Sequence, residues 1–235
     1  MELQLPQHIG IICDGNRRFA QTLGDEASKG HEYGANKIEE VLDWCREIGI
    51  RTLTLWLFST ENFNRPAEEL GVLFHLAEKT AYKFADDERT HKYRIKLNMV
   101  GDASGFPDYV KKALDYALEK TKNYDRFFLN IAVGYGGKNE IVNAAKRIAH
   151  LVKEGRLNPE DITKELFELQ LYSANLPDVD LVIRTSGEQR TSGFLMWKTD
   201  YAEYYFTEKY WPEFEKEDFL NALVSYSERK RRFGK

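Results

Sequence analysis

The stretch His8-Ile9-Gly10-Ile11-Ile12-Cys13-Asp14-Gly15-Asn16-Arg17-Arg18-Phe19-Ala20 decides how this 235-residue chain is read. An apolar run breaks into Asp-Gly-Asn and then a pair of arginines. That pattern predicts a buried strand turning into the first residues of a helix. Such a turn leaves backbone N–H groups free and presents the positive end of a helix dipole, a setting suited to phosphate. Gly15 lets the backbone approach a ligand, and Arg17 and Arg18 add forked donors for phosphate oxygens. Asp14 is the odd member, since a carboxylate beside an anion is repulsive unless a divalent cation such as Mg²⁺ lies between them. The plain alternative is a strand, an Asp-Gly turn and a helix with no ligand.

Working outward, residues 21–33 are polar and contain glycine, which predicts a loop or a mobile helix end. His31 lies in it beside Gly30, where a lone histidine is ordinarily a surface residue. A helical pattern follows over residues 34–49, and then a strand over 51–58 (RTLTLWLF). Pro66 opens a long helix whose face carries Leu70, Leu73, Phe74, Ala77, Ala81 and Phe84. Residues 86–92 read as a charged, solvated turn. Further strands are expected at 94–100 (RIKLNMV), 127–133 (FFLNIAV), 180–184 (DLVIR) and, as a short sixth, 194–197. Helices are expected over 107–121, 139–154, around 162–171, and from Glu217 onward. There are no repeats, low-complexity segments or linkers.

Strands alternating with helices, each connection long enough for a crossover, predict a mainly parallel six-stranded sheet flanked by helices, in a single domain spanning 1–235. Ligands in such sheets bind at the carboxyl ends of the strands. The unusual polar clusters fall at those ends: 14–18, 59–65, 134–137 and 185–192. This convergence is the main argument for one active site. The set contains Arg18, Arg65, Arg184 and Arg190, the hydroxyls of Ser59, Thr185 and Ser192, and the acids Asp14, Glu61, Glu188 and Glu203. Arginines, glycines and hydroxyls together suit diphosphate.

Composition narrows the classes. There are 34 Lys plus Arg against 38 Asp plus Glu, a net charge of −4, so general attraction to nucleic acid is not expected and any anion site is local. No apolar run approaches the length of a membrane span, and residues 1–6 do not have the form of a signal peptide. Two cysteines, Cys13 and Cys45, give neither a disulfide framework nor a four-ligand zinc site, which fits a reducing cytoplasm. Cys13 reads as a small buried filler or, less economically, a nucleophile. No nucleotide P-loop, dinucleotide Gly-x-Gly-x-x-Gly, Gly-x-Ser-x-Gly or zinc spacing is present.

Residues 8–20, 58–66 (FSTENFNRP), 130–137 (NIAVGYGG) and 180–214 (DLVIRTSGEQRTSGFLMWKTDYAEYYFTEKYWPEF) resemble the cis-prenyltransferases, in one register over nearly the whole chain. The resemblance implies condensation of an allylic prenyl diphosphate with isopentenyl diphosphate, releasing diphosphate and forming a Z double bond. It implies Mg²⁺ held by Asp14 with Glu203, and an allylic diphosphate cradled by Gly15, Asn16, Arg17 and Arg18, with Phe19 alongside and His31 nearby. Arg184, Arg190, Thr191 and Ser192 would bind the isopentenyl diphosphate. Ser59, Thr60, Glu61, Phe63 and Arg65 would frame the same site. Asn62 matches a position tied to proton removal; an amide is a poor base, so the reading here is that it positions a water or the diphosphate. The C-terminal Arg232-Phe233-Gly234 matches a tail that reaches the partner subunit's site, implying a homodimer. Membrane contact is expected to be peripheral at most, through the lipid product.

Three departures stand out: Arg17 replaces the family's usual glycine, Phe19 replaces tryptophan, and Ala27 replaces a second diphosphate arginine. They keep open a non-head-to-tail condensation of two prenyl diphosphates. A non-catalytic partner subunit is a further alternative, weakened by the presence of Asp14, Arg184, Arg190 and Glu203. An apolar tunnel beside the sheet is implied, with Leu57, Phe127 and Val133 bulky along it. Added volume in a tunnel halts elongation early, so a short or medium product is expected.

Overall fold

The computed structural model describes residues 4–229. In chain order the strands are β1 (His8–Ile12), β2 (Thr52–Ser59), β3 (Ile95–Val100), β4 (Phe127–Tyr135), β5 (Leu181–Arg184) and β6 (Glu203–Phe206). The helices are α1 (Asn16–Thr22), α2 (Lys29–Ile48), α3 (Ala67–Asp86), α4 (Glu88–Lys92), α5 (Asp108–Thr121), α6 (Gly137–Lys153), α7 (Lys164–Glu168) and α8 (Lys216–Glu228). The sheet order is β3-β4-β2-β1-β5-β6, and every pairing is parallel. Strand β1 is buried at each of its residues. A central strand covered on both faces needs that near-continuous apolar run.

From β1 the chain moves first to β2 on one side and only later to β5 on the other. The order therefore reverses between β1 and β5, and their carboxyl ends leave the crevice where such sheets bind ligands. Two buried clusters cover the faces. One gathers Ile9, Ile11, Leu53 and Leu55 with α2, α5 and α8; the other gathers Ile12, Ala132, Val182 and Tyr135 with Phe194 and Leu195.

Buried polar side chains form a row across the sheet. The His8 ring bonds the Pro177 carbonyl through Nδ1 at 2.9 Å and the Thr54 hydroxyl through Nε2 at 2.7 Å. Asn130 Nδ2 donates to Thr54 at 2.9 Å, and Asn98 Nδ2 donates to Asn130 at 2.9 Å. Burial lowers the His8 pKa to about 4, so the ring is neutral at pH 7 and the row is self-consistent: Nδ1–H donates and Nε2 accepts.

Three local expectations are corrected. Residues 194–197 form turns, not a strand, because Ser192, Gly193 and Leu195 take positive φ; the sixth strand is Glu203–Phe206 instead. The apolar signal was real, since Phe194 and Leu195 are buried, but it marks a plug and not a ladder. Much of the polar stretch 21–33 is helical: α2 begins at Lys29 and carries His31. The charged turn at 86–92 contains α4, capped by the Asp87 carboxylate, which accepts from Arg89 N–H at 2.7 Å.

Candidate active site

The end of β1 passes into an Asp14 loop tied firmly to the end of β5. The Thr185 hydroxyl accepts from the Asp14 N–H at 2.9 Å and donates to the Asp14 carbonyl at 2.7 Å. That carbonyl also accepts from the Trp211 N–H at 2.9 Å. Gly15 sits at φ 100°, and a Cβ there would come within 2.6 Å of the Tyr210 ring. The backbone is thus fixed and the Asp14 carboxylate is left facing the crevice.

That carboxylate is held between two guanidinium groups. Arg184, itself buried, donates from Nη2 to Asp14 Oδ2 at 2.8 Å, and Arg18 Nη2 lies 3.4 Å from Oδ1. Burial alone would raise the Asp14 pKa, but the Arg184 hydrogen bond and the charges of Arg184 and Arg18 hold it below the usual carboxylate range. Arg184 Nη1 reaches the Ser192 hydroxyl at 2.9 Å and the Arg190 carbonyl, while its buried Nε has no hydrogen-bond partner. Arg18 is oriented by the Ser186 hydroxyl at 2.7 Å and lies 3.4 Å from Glu188, which also pairs with the exposed Arg190. Asp14 and Arg190 therefore share one rim.

A second group faces this one: Arg17 of α1, His31 of α2 and Arg65 just before α3 gather around Glu69 of α3. Glu69 Oε1 lies 3.0 Å from Arg65 Nη1, 3.3 Å from His31 Nε2 and 3.8 Å from Arg17 Nε. Burial lowers the His31 pKa, against the pull of Glu69, and the nearby Arg65 and Arg17 lower it further. Arg17, His31 and Arg65, with Asp14, Gly15, Asn16, Arg18, Ser59, Asn62, Arg184 and Ser192, line a cleft of about 540 Å³, and Glu69 stands behind them. The short helix α1 has only seven residues, so guanidinium groups, and not a long helix dipole, dominate the field.

Behind the cleft lies an apolar cavity of about 160 Å³. The two share Cys13, Asn16, His31, Leu57 and Phe58, so polar mouth and greasy interior meet at one wall. Helix α2 can approach this wall only because Gly30 and Gly34 lack side chains. A Cβ at Gly30 would lie 2.0 Å from the Asn16 carbonyl oxygen, and one at Gly34 would lie 2.2 Å from Asn16 Oδ1. Trp211 Nε1 donates to the Gly34 carbonyl at 2.8 Å and locks α2 in place.

Several sequence expectations are placed elsewhere. Glu203 pairs with Leu181 at the start of β5 and bonds Arg229 at 2.9 Å. By strand spacing it lies roughly 14 Å from the end of β1, too far to share an ion with Asp14 in the same chain. Phe127 lies at the start of β4 and lines a small recess near Leu42 and Ile50 instead of the cavity. Leu57 and Val133 do line the cavity. Phe63 packs against Phe58, ring centroids 4.8 Å apart, and does not line the cleft. Phe19 meets Tyr33 edge-on at 5.6 Å. Thr60, Glu61 and Thr191 stand beside the cleft without lining it. The Asn62 amide oxygen accepts from the Ser59 N–H at 2.9 Å, so Asn62 caps its own turn. The Cys13 thiol pKa is raised by burial, which favours the filler reading. Arg232 and Gly234 lie outside the described residues. Glu69, Ser186 and Trp211 were not singled out from the sequence; only the i,i+4 spacing of Arg65 and Glu69 signalled the first.

A parallel α/β sheet with a cationic, carboxylate-bearing crevice at its switch point, opening onto an apolar cavity, defines a diphosphate-handling enzyme of hydrophobic substrates. The sequence model of a family described as putative undecaprenyl diphosphate synthase matches residues 12–234, and the chain belongs to that family of prenyl transferases. It is 52% identical to the geranylgeranyl-diphosphate-specific tritrans,polycis-undecaprenyl-diphosphate synthase of Methanocaldococcus jannaschii, covering 98% of this chain and 83% of that protein. It is 46% identical to an isoprenyl transferase of Thermus thermophilus, covering 98% of this chain and 89% of that one. Among solved structures, lavandulyl diphosphate synthase from Lavandula x intermedia, in complex with dimethylallyl diphosphate, superposes with a TM-score of 0.91. It is 35% identical, with 98% of this chain and 99% of that chain covered. Among the described residues, no helix is long and apolar enough to cross a membrane.

Proposed function

We propose that this enzyme joins geranylgeranyl diphosphate, or an allylic prenyl diphosphate of similar length, to isopentenyl diphosphate with Mg²⁺, giving a short or medium Z-prenyl diphosphate. The carrying observation is the shared wall between the Asp14 cleft and the apolar cavity. A diphosphate in the cleft would place its hydrocarbon chain directly against the cavity mouth.

In this reaction the allylic C–O bond breaks, and the isopentenyl double bond attacks the allylic carbon. A proton then leaves the isopentenyl C2 and diphosphate departs. Arg18, Arg17, Arg65 and His31 are donors already in place for charge growing on the leaving group, which is worth most when fixed beforehand. Arg184 and Ser192, with Arg190, supply donors for the isopentenyl diphosphate. With its oxygen committed to Ser59, Asn62 offers a ligand its NH₂, a donor and not a base, and so positions the phosphate or water that takes the proton. Mg²⁺ is commonly held by one or two carboxylates plus substrate phosphates, and the partly exposed, ionised Asp14 fits that role alone. Bound there, the ion would neutralise diphosphate charge as a Lewis acid. We further propose a homodimer in the cytoplasm.

The test is product analysis by mass and chain-length chromatography with Mg²⁺, isopentenyl diphosphate and a panel of allylic diphosphates. Z-elongated products from geranylgeranyl diphosphate are expected. Products from dimethylallyl diphosphate alone would instead select the condensation of two allylic units that Ala27 leaves open.

A further inference from the structure

The apolar cavity does not end in solid protein. Ala35 and Ile38 from α2, with Thr80 and Phe84 from α3, line both the cavity and a second apolar groove of about 60 Å³ beyond it. The septum is thus one side chain thick, and two of its four members are small. Behind it, at the surface, an ion-pair cluster ties three helices together. Glu39 on α2 pairs with Lys83 on α3 and with Arg89 on α4, the latter at 2.6 Å. Arg89 also meets Asp87 at 2.6 Å and Asp43 on α2 at 3.4 Å. Glu39 bridges Lys83 and Arg89, with one carboxylate oxygen on each cation.

Volume makes this cluster consequential. An apolar cavity of about 150 Å³ holds one benzene-sized molecule, so the 160 Å³ here accepts only a short hydrocarbon end before its walls must move. The sides formed by the sheet and α5 belong to the buried core, and core resists displacement. The α2–α3 side is held at its outer edge by half-exposed ion pairs, which are individually weak and screened by salt. It is the side that yields first.

Resting on the prenyl-transfer reading above, we propose that Glu39, bridging Lys83 and Arg89, is a chain-length latch. While closed it holds α2 against α3 and stops elongation; when it parts, the hydrocarbon end of the growing prenyl chain passes the Ala35–Thr80 septum into the outer groove. Glu39 touches neither the diphosphates nor the reacting carbons, so it acts on product length and not on bond formation.

The test compares wild type, Glu39→Gln and Lys83→Met, with circular dichroism verifying the fold of each. Product distributions are read at matched conversion, alongside the initial rate of the first condensation. The latch predicts products longer by at least one isoprene unit in both variants, with first-condensation rates within about twofold of wild type. Raising salt from about 0.05 to about 0.5 M, which shortens the screening length several-fold, should lengthen the wild-type product and leave that of Glu39→Gln unchanged. Folded variants with wild-type product lengths overturn the latch while prenyl transfer stands. So does a salt response that is equal in wild type and Glu39→Gln, and the wild-type salt series decides the matter if a variant does not fold. A wild type that incorporates no isopentenyl diphosphate overturns the transfer reading, and the latch with it.

Discussion

Asp14 carries the proposed chemistry, and its neighbours hold the site in place. Glu69 gathers Arg65, His31 and Arg17, three donors from separate segments, two of them guanidinium groups that would otherwise repel each other. Replacing Glu69 with Gln removes that restraint, and kcat/KM for the allylic diphosphate should fall roughly tenfold, about 1.4 kcal/mol. Steady-state kinetics check this, and an unchanged kcat/KM rules Glu69 out as a positioning residue. A second residue-scale consequence concerns His8. Its folded pKa of about 4 lies below the unfolded value of 6.5, so between them the unfolded chain binds more protons. Stability is therefore full above pH 6.5 and declines as pH falls to about 4, by an amount on the order of 3 kcal/mol. Urea midpoints across this range should show the slope in wild type and a shallower one in His8→Asn.

At the scale of elements, the packing of α2 on α1 sets the cleft wall. Gly30→Ala would drive a methyl into the Asn16 carbonyl, which belongs to backbone and cannot rotate aside. A loss of about 1–3 kcal/mol is expected, with weaker diphosphate binding because Asn16 and Arg17 move. Gly71 in α3 is the control: a Cβ there meets nothing within 4 Å, so Gly71→Ala should raise stability by about 0.5–1 kcal/mol through helix propensity. Thermal or urea unfolding of the two variants separates them by sign. These glycines also mark what the sequence could and could not tell. Strands β1 to β5 were legible because their apolar runs end in abrupt polar turns. Helix α2 was read five residues short, since Gly30 in its polar surroundings looks like a loop residue until the neighbour that needs it is known. Glu203–Phe206 was missed as a strand because its half-buried aromatics merged with the run that follows, and Phe194–Trp197 drew the assignment through burial alone. Asp14 and the arginines were legible through local pattern and family resemblance. Glu203 does not meet Asp14 within one chain because strand register, which sequence spacing does not reveal, sends it to the other end of β5.

Across the whole molecule, the reversal of strand order between β1 and β5 brings residues 14 and 184 together, while β2 and β4 supply the cavity wall. Leu57 stands where cleft and cavity meet. Trimming it to Ala should admit a longer chain and lengthen the product, as read by chain-length chromatography; an unchanged length would remove Leu57 from the steric account. In the proposed reaction one crevice, built from both halves of the chain, draws diphosphate away from an allylic carbon beside a hydrophobic cavity. The most direct measurement is isopentenyl incorporation by Asp14→Asn against wild type, at saturating substrates and Mg²⁺, with melting curves to verify the fold. A folded variant slowed by about 10²-fold or more, the scale of losing one fixed electrostatic group, is the predicted result. A folded Asp14→Asn that turns over at the wild-type rate would contradict it.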